Sequence, residues 1–393
     1  MTVIEQMLAT RMSRLGTEKA FEVLAKAKAL EAQGKHIVHL EIGEPDFDTP
    51  QNIIDAGIEA LNNGYTHYSP ATGIAEARQA VADYVSRYKK VPAVADEVVL
   101  MPGAKPLMLY TMLALINPGD EVIYPNPGYP IYESAVNFVG GKAIPMPLLE
   151  KNDYTLDIDD LASKITDRTK LIIINSPANP TGGLLSRANL EQIADLVRGK
   201  NIMVMSDEIY DRLVYDDEPV SIASLPGMKE QTIILDGFSK TYAMTGWRLG
   251  YGILPLPLVE RIARLAINTN SCAAAFTQMA GVEALSGSQA GADKMKAEFK
   301  GRRDVIVDGL NAIPGITCRK PLGAFYAFPN IRGLGKSSQE IADYILQEGG
   351  VAVLSGTDFG EYGEGHLRLS YANSVENIQL ALERIETAVR KLR

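Results

Sequence analysis

Lys240 stands in Asp236-Gly-Phe-Ser-Lys240-Thr-Tyr-Ala-Met-Thr-Gly-Trp-Arg248-Leu-Gly, directly after the apolar run Thr232–Leu235. An amine at the end of a buried strand is held near a ligand site and partly stripped of water. Both effects favour the neutral, nucleophilic form that Schiff-base chemistry requires. Arg248 opens the next apolar run, Leu249–Leu254, and a guanidinium suits bidentate pairing with a phosphate. Taken alone, Lys240 would be read as a solvated surface lysine, as most lysines are. Three further apolar runs end in complementary chemistry and reverse that reading.

Asp207 follows the run Ile202–Ser206, in Ser206-Asp207-Glu208-Ile209-Tyr210. A carboxylate at a strand end can pair with a protonated pyridine nitrogen and keep such a ring an electron sink. Tyr210 falls on the same face if a helical turn starts there, with its hydroxyl placed to bond a phenolic oxygen on the ring. The bland alternative is an aspartate helix cap beside a core tyrosine. Asn179 lies in Asn175-Ser-Pro-Ala-Asn179-Pro-Thr-Gly-Gly183, where prolines and glycines force a fixed loop after the run Lys170–Asn175. Met101-Pro-Gly103-Ala-Lys105-Pro106 leads from the run Val98–Met101 into a helix with proline in its first turn. Free backbone N–H groups and the helix dipole make such a junction an anion site.

These ends need a sheet to hold them. From about residue 97, apolar runs at 98–101, 121–124, 170–175, 202–206, 232–235 and 249–254 alternate with helical stretches at 106–116, 132–139 and 190–197. The alternation predicts an α/β fold, a mostly parallel sheet covered by helices on both faces, with ligands at the carboxyl ends of its strands. Earlier, helices are expected over 17–33 and 52–61, then a polar loop, 62–73, carrying Tyr65, His67 and Tyr68. After about residue 285, long amphipathic helices at 292–312 and 377–391 and short apolar runs at 324–328 and 350–353 predict a smaller α+β lobe, completed by the first forty residues. A chain of 393 residues exceeds the size at which one core stops growing, in keeping with two lobes.

A net charge of −9 argues against general affinity for nucleic acid or an anionic membrane surface. No apolar run approaches the roughly 20 residues of a membrane helix, and the first residues lack the apolar stretch of a signal peptide. Two distant cysteines, Cys272 and Cys318, fit a reducing compartment. The histidines (His36, His39, His67 and His366) show no ligand spacing, so no metal is expected. The chain is read as cytoplasmic. No G-x-G-x-x-G opens a helix, which argues against a nicotinamide dehydrogenase.

Together the motifs resemble those of the class I/II aminotransferases of pyridoxal-5′-phosphate (PLP) fold type I, in the branch with many bacterial aspartate and aromatic aminotransferases. The likeness runs from about Leu15 to the last helix. Its most specific part is the Ser-Lys-x-x-x-x-x-Gly-x-Arg-x-Gly pattern around Lys240 and Arg248. It implies a sheet of the seven-stranded type in a large PLP-binding domain over 48–285. Residues 1–47 would form an N-terminal arm and part of a small domain, and 286–393 the small C-terminal domain. Lys240 becomes the Schiff-base lysine and proton carrier. Arg248 and the Gly103-Ala104-Lys105 turn hold the phosphate, Asp207 pairs with the pyridine nitrogen, and Tyr210 and Asn179 bond the phenolic oxygen. Tyr129, in Asn126-Pro-Gly-Tyr129-Pro, stacks on the ring. Gly237 stands where some relatives have a phosphate-contacting serine, a loss that Ser239 would make good.

The same resemblance matches Tyr68, in Thr66-His-Tyr68-Ser-Pro, to a tyrosine that reaches the phosphate of the neighbouring subunit's cofactor, implying a homodimer with shared active sites. Arg368, in Gly365-His-Leu-Arg368-Leu-Ser-Tyr, matches the arginine that grips the substrate α-carboxylate, helped by the backbone of Gly43 and by Asn179. The implied activity is ping-pong transfer of an amino group between an L-amino acid and a 2-oxo acid. Glutamate/2-oxoglutarate would be one couple, and aspartate, aromatic or neutral amino acids would form the other. Dicarboxylate-specific relatives carry a distal arginine from the partner subunit. The corresponding stretch here, Ala266-Ile-Asn268-Thr-Asn270-Ser, has none, so Lys105 would read a side-chain carboxylate or else assist the phosphate. A carbon–sulfur β-lyase, releasing pyruvate and ammonia, is the nearest alternative on the same fold.

Overall fold

The computed structural model describes residues 2–392. β1 (Val38–His39) lies apart from the main sheet. That sheet is built by β2 (Val98–Met101), β3 (Glu121–Asn126), β4 (Lys142–Pro147), β5 (Thr169–Asn175), β6 (Met203–Asp207), β7 (Thr232–Gly237) and β8 (Gly250–Ile253). Its order is β2-β8-β7-β6-β5-β3-β4, parallel from β7 through β4, with β8 antiparallel to both β7 and β2. The central strands form because they are apolar on both faces. Ile172, Ile174 and Val204 pack with Leu190, Ile193 and Val197 of the helix Arg187–Val197. Leu171, Ile173 and Met205 point the other way, onto Leu107 and Met108 of the helix Lys105–Leu115 and Ile262 of the helix Leu256–Ile267. Each such side chain contributes roughly 1.5–3 kcal/mol on burial, and that apolar anchoring holds the polar strand ends in place.

All six expected runs form strands, their ends within about two residues of those predicted. β4 had no counterpart among them. It is the sheet's edge strand, its side chains are mostly half-buried, and Pro145 and Pro147 break the apolar pattern. An edge tolerates proline because one side of the strand has no neighbour to receive its N–H. The helices Ala75–Tyr84, Leu256–Ile267 and Ala275–Ser286 were likewise not expected.

Two short strand groups complete the fold. β9 (Tyr326–Ala327), β10 (Val351–Ala352), β11 (Leu354–Ser355) and β12 (Leu367–Ser370) come from the C-terminal part of the chain. β11, β12 and β9 form an antiparallel trio in that order, and β1 pairs in parallel with β10. Leu40, Phe299, Ile306, Phe325, Leu369, Ile378 and Ile385 share one apolar core, so the segment before residue 47 packs with the C-terminal helices Ala290–Ala312 and Val375–Leu392. Among the described residues no helix is long and apolar enough to cross a membrane, and no cluster of three or more histidine, cysteine or acidic side chains could hold a metal ion.

Candidate active site

β5, β6 and β7 end at one edge of the sheet. Asp207 closes β6 opposite Asn175 of β5 and Leu235 of β7. Its buried carboxylate accepts the Tyr132 hydroxyl at 2.5 Å and the Ile209 N–H at 3.3 Å. Burial pushes the Asp207 carboxyl up to about 6 in spite of those two bonds. Asn175 Nδ2 donates to the Asp207 carbonyl at 3.0 Å, while its Oδ1 accepts the Asn179 N–H at 2.8 Å. One amide thus ties the loop bearing Asn179 to the end of β6.

β7 runs on into the turn that carries Ser239 and Lys240. Lys240 Nζ donates to the Gly43 carbonyl at 2.6 Å. Burial brings its amine down from 10.5 to about 8; Glu44 opposes that fall, and the nearby Arg368 and Arg248 charges deepen it. Arg248 sits two residues before β8 rather than in it, with a left-handed backbone (φ 54°), and its Nη1 donates to the Thr245 carbonyl at 2.8 Å. The guanidinium lies on the bare Cα of Gly103, where φ is +84° and a Cβ would stand 2.4 Å from Nη2. Glycine is required there twice over, by backbone and by contact. The arginine is thereby held against the Gly103-Ala104-Lys105 turn.

At the far end Arg368, on β12, is buried. Its Nη2 donates to the Glu41 carbonyl, and its Nη1 lies 3.5 Å from Asn179 Oδ1. The rings of Tyr326 and Phe359 lie 4.6 and 5.0 Å from the guanidinium carbon, and its Nε is buried with no partner among the described residues. Tyr210 and Tyr326 share a hydrogen bond of 2.7 Å between their hydroxyls. A Cβ at Gly43 would come within 2.2 Å of the Tyr326 hydroxyl. Lys105 is ion-paired with Glu18, which also accepts the Tyr129 hydroxyl at 2.7 Å.

These groups surround one cavity of about 380 Å³. Of the residues expected from the sequence, Gly103 lies behind Arg248, and Tyr68 stands apart, 89% exposed on the loop before the helix Ala75–Tyr84. Tyr132, Tyr326, Phe359 and Glu18 also face the cavity and were missed. Tyr132 follows Tyr129 by three residues near the start of the helix Ile131–Val139, a spacing that could have flagged it. The other three come from distant segments, with no local pattern to announce them.

The family model for aminotransferase class I and II matches residues 35–385. The chain belongs to that family. It is 40% identical over 361 residues to an aspartate aminotransferase of Pyrococcus abyssi, covering 91% of this chain and 92% of the relative. Over 365 residues it is 40% identical to aromatic-amino-acid aminotransferase 2 of Thermococcus litoralis, covering 92% and 94%. The solved structure of an alanine aminotransferase from Pyrococcus furiosus superposes with a TM-score of 0.93 at 36% identity, covering 98% of this chain and all of that one. The protein is therefore a PLP-dependent transaminase of the α/β fold predicted above.

The cavity fits that cofactor. Asp207 is a buried carboxylate with no ion-pairing lysine or arginine among the described residues, Lys240 is an amine lowered towards neutrality, and Arg248 is a guanidinium set on a glycine turn. In kind they answer a protonated ring nitrogen, an aldehyde and a phosphate, and the unpartnered Arg368 Nε answers a carboxylate. An amine of pKa about 8 is protonated and unreactive below that pH and free above it. In cofactor-free protein, labelling of Lys240 by an amine-selective acylating reagent, read by peptide mass spectrometry, should therefore rise with a midpoint near pH 8. A midpoint near the ordinary 10.5 would contradict the burial argument.

Proposed function

We propose that the enzyme moves an amino group between an L-amino acid and a 2-oxo acid in two half-reactions of a ping-pong cycle. Glutamate and 2-oxoglutarate form one couple; aspartate, or aromatic and neutral amino acids, enter the other. The observation that carries this reading is Lys240, a buried amine of lowered pKa that shares its cavity with Asp207 and Arg368. Relatives named for aspartate and for aromatic amino acids support the substrate range.

In this reading Lys240 attaches the cofactor, and Arg248, Ser239 and the Gly103-Ala104-Lys105 turn hold its phosphate. Asp207 meets the ring nitrogen, Tyr210 and Asn179 the phenolic oxygen, and Tyr129 a face of the ring. The bound cofactor supplies an electron-withdrawing ring that acidifies the substrate Cα–H. Lys240 Nζ would take the proton from the substrate Cα and pass it to C4′ of the cofactor, its pKa being close to a working pH, as general acid–base catalysis requires. Arg368, with Gly43 and Asn179, grips the α-carboxylate and turns Cα–H towards Lys240. Tyr326 and Phe359 keep water from the guanidinium, which strengthens the grip. Lys105 reads a side-chain carboxylate, which would take the place of Glu18.

Residues 1–47 and 286–393 form one small domain around a cofactor domain at 48–285, a division supported by the β1–β10 pairing. The exposure of Tyr68, and of Val3, Ile4, Met7 and Leu8 at the N-terminus, supports a homodimer in which Tyr68 completes the partner's site. Two distant cysteines support a cytoplasmic setting.

Holoenzyme given one amino acid and no oxo acid should release one 2-oxo acid per site as the cofactor's absorption band shifts. Continuous release of pyruvate and ammonia from cysteine-type substrates would establish a β-lyase instead. Lys240→Ala should abolish turnover. Arg368→Ala should raise KM for every amino acid by about tenfold to a hundredfold, the worth of one charge-assisted contact, and an unchanged KM would count against its role. Lys105→Met should raise KM for aspartate while leaving that for phenylalanine nearly unmoved. Equal effects on both substrates would assign Lys105 to the phosphate.

A further inference from the structure

Behind the cavity lies a second charged cluster. Lys89 ends the helical segment that begins at Ala75, and only 2% of its side chain is exposed. Its ammonium meets Glu208 at 3.0 Å, Asp236 at 2.8 Å, and Asp211. The carboxylates are tied down further. Glu208 accepts the hydroxyls of Ser206 at 2.9 Å and Ser221 at 2.6 Å, and Asp236 accepts the Tyr251 hydroxyl at 2.7 Å and the Gly237 N–H at 2.6 Å. Neither the lysine nor any of its three acidic partners lines the active-site cavity.

The places of those carboxylates in the chain are the telling feature. Glu208 directly follows Asp207, Asp211 directly follows Tyr210, and Asp236 is the penultimate residue of β7, just before the turn that carries Lys240. A backbone bond from Glu208 N–H to the Leu235 carbonyl, 2.8 Å, joins the same two strand ends. One buried ammonium thus holds every turn that presents a polar group from β6 or β7. Burial works against that charge, and the three carboxylates outweigh it, raising the lysine's pKa; burial likewise raises Asp236, and lifts Asp211 to about 7. The three N–H donors of the ammonium meet three carboxylates, so its bonds reach the chain at the ends of both β6 and β7.

We propose that Lys89 is a positioning residue for transamination: by gripping Glu208, Asp211 and Asp236 together, it fixes the turns that aim Asp207, Tyr210 and Lys240 into the cavity. The proposal rests on the roles assigned above to those three residues. A displacement of about 1 Å in such groups can cost about a hundredfold in rate. The substrate carboxylate grip of Arg368 comes from β12 and lies outside the network.

The test is Lys89→Met, with Asp211→Asn as the milder variant that keeps two of the three ion pairs. Both are measured as holoenzyme, with kcat counted per cofactor-loaded site and PLP affinity measured separately on the cofactor-free protein. Lys89→Met should lower kcat by about a hundredfold and Asp211→Asn by several-fold. KM should stay within about threefold, and PLP should bind more weakly. The pH midpoint of Lys240 labelling in the cofactor-free variants should also move from the wild-type value. If Lys89→Met does not fold, Asp211→Asn decides by the same readouts. A kcat per loaded site within twofold of wild type, with the labelling midpoint unmoved, would overturn the proposal. Lys240→Ala run alongside separates the failures: an active Lys240→Ala enzyme sinks the functional reading itself, whereas a dead one beside an unaffected Lys89→Met enzyme sinks only the positioning role.

Discussion

The parallel register of β5, β6 and β7 is the constraint on which the site depends. It sets Asn175 opposite Asp207, and Asp207 opposite Leu235, the residue from which β7 runs on towards Lys240. A slip of one residue would turn every side chain of a strand to the other face of the sheet. Asp207 would then point among the aliphatic side chains of the helix layers, and Asn175 would lose its carbonyl partner at 3.0 Å. That slip is resisted by side chains far from the chemistry. Ile172 and Ile174 belong to one apolar core and Leu171 and Ile173 to the other, so neither core admits the other's pattern without a polar end being buried.

Desolvation then acts on the strand ends in two directions. It lowers the amine of Lys240 to about 8 and raises the carboxyl of Asp207 to about 6, so each stands near the point where it can accept or give up charge. A group brought into the cavity with a cationic ring nitrogen and an anionic phosphate meets side chains able to take the complementary state. Arg368 solves the same problem differently. Its charge persists because the Glu41 carbonyl and two aromatic faces replace part of its hydration. Lys89 is buried as Arg368 is, and it is the cation surrounded by carboxylates. Charge is tolerated here where a partner is built in, and shifted where a ligand is to supply it.

Much of this was legible because buried parallel strands leave short Val- and Ile-rich runs, and because polar groups that must reach a ligand stand at the ends of those runs. Lys240, Asp207, Asn179 and the Gly103 turn could be placed from such local patterns, and the structure gathers them. Three kinds of feature stayed hidden. The edge strand β4 is half-buried and carries two prolines, so it looks like a break. The helix Ala275–Ser286 is buried over much of its circumference and lacks a polar face to give it a period, while Leu256–Ile267 begins among Pro255 and Pro257, which read as loop. Residues that matter through long-range approach, such as Tyr326, Glu18 and Lys89, give no local sign at all, since a lone tyrosine, glutamate or lysine is ordinary in any surface or core.

A division of labour between elements is compatible with relatives, each 40% identical to this chain, that carry names for different amino acids. Groups placed to act on Cα stand on strand ends whose positions the sheet fixes, so changing them would break both register and chemistry. The groups proposed above to meet the side chain of a substrate stand elsewhere. Lys105 opens a helix, and Glu18, its partner, precedes the helix Lys19–Glu31, which lies outside the sheet altogether. An exchange at Glu18 costs the main sheet no apolar contact and moves no strand end. It changes whether Lys105 faces the cavity ion-paired or with its positive charge available, and it frees the Tyr129 hydroxyl. On the proposed reading, the reaction is anchored in strand ends that the main sheet fixes, and the choice of substrate in side chains that the sheet does not hold.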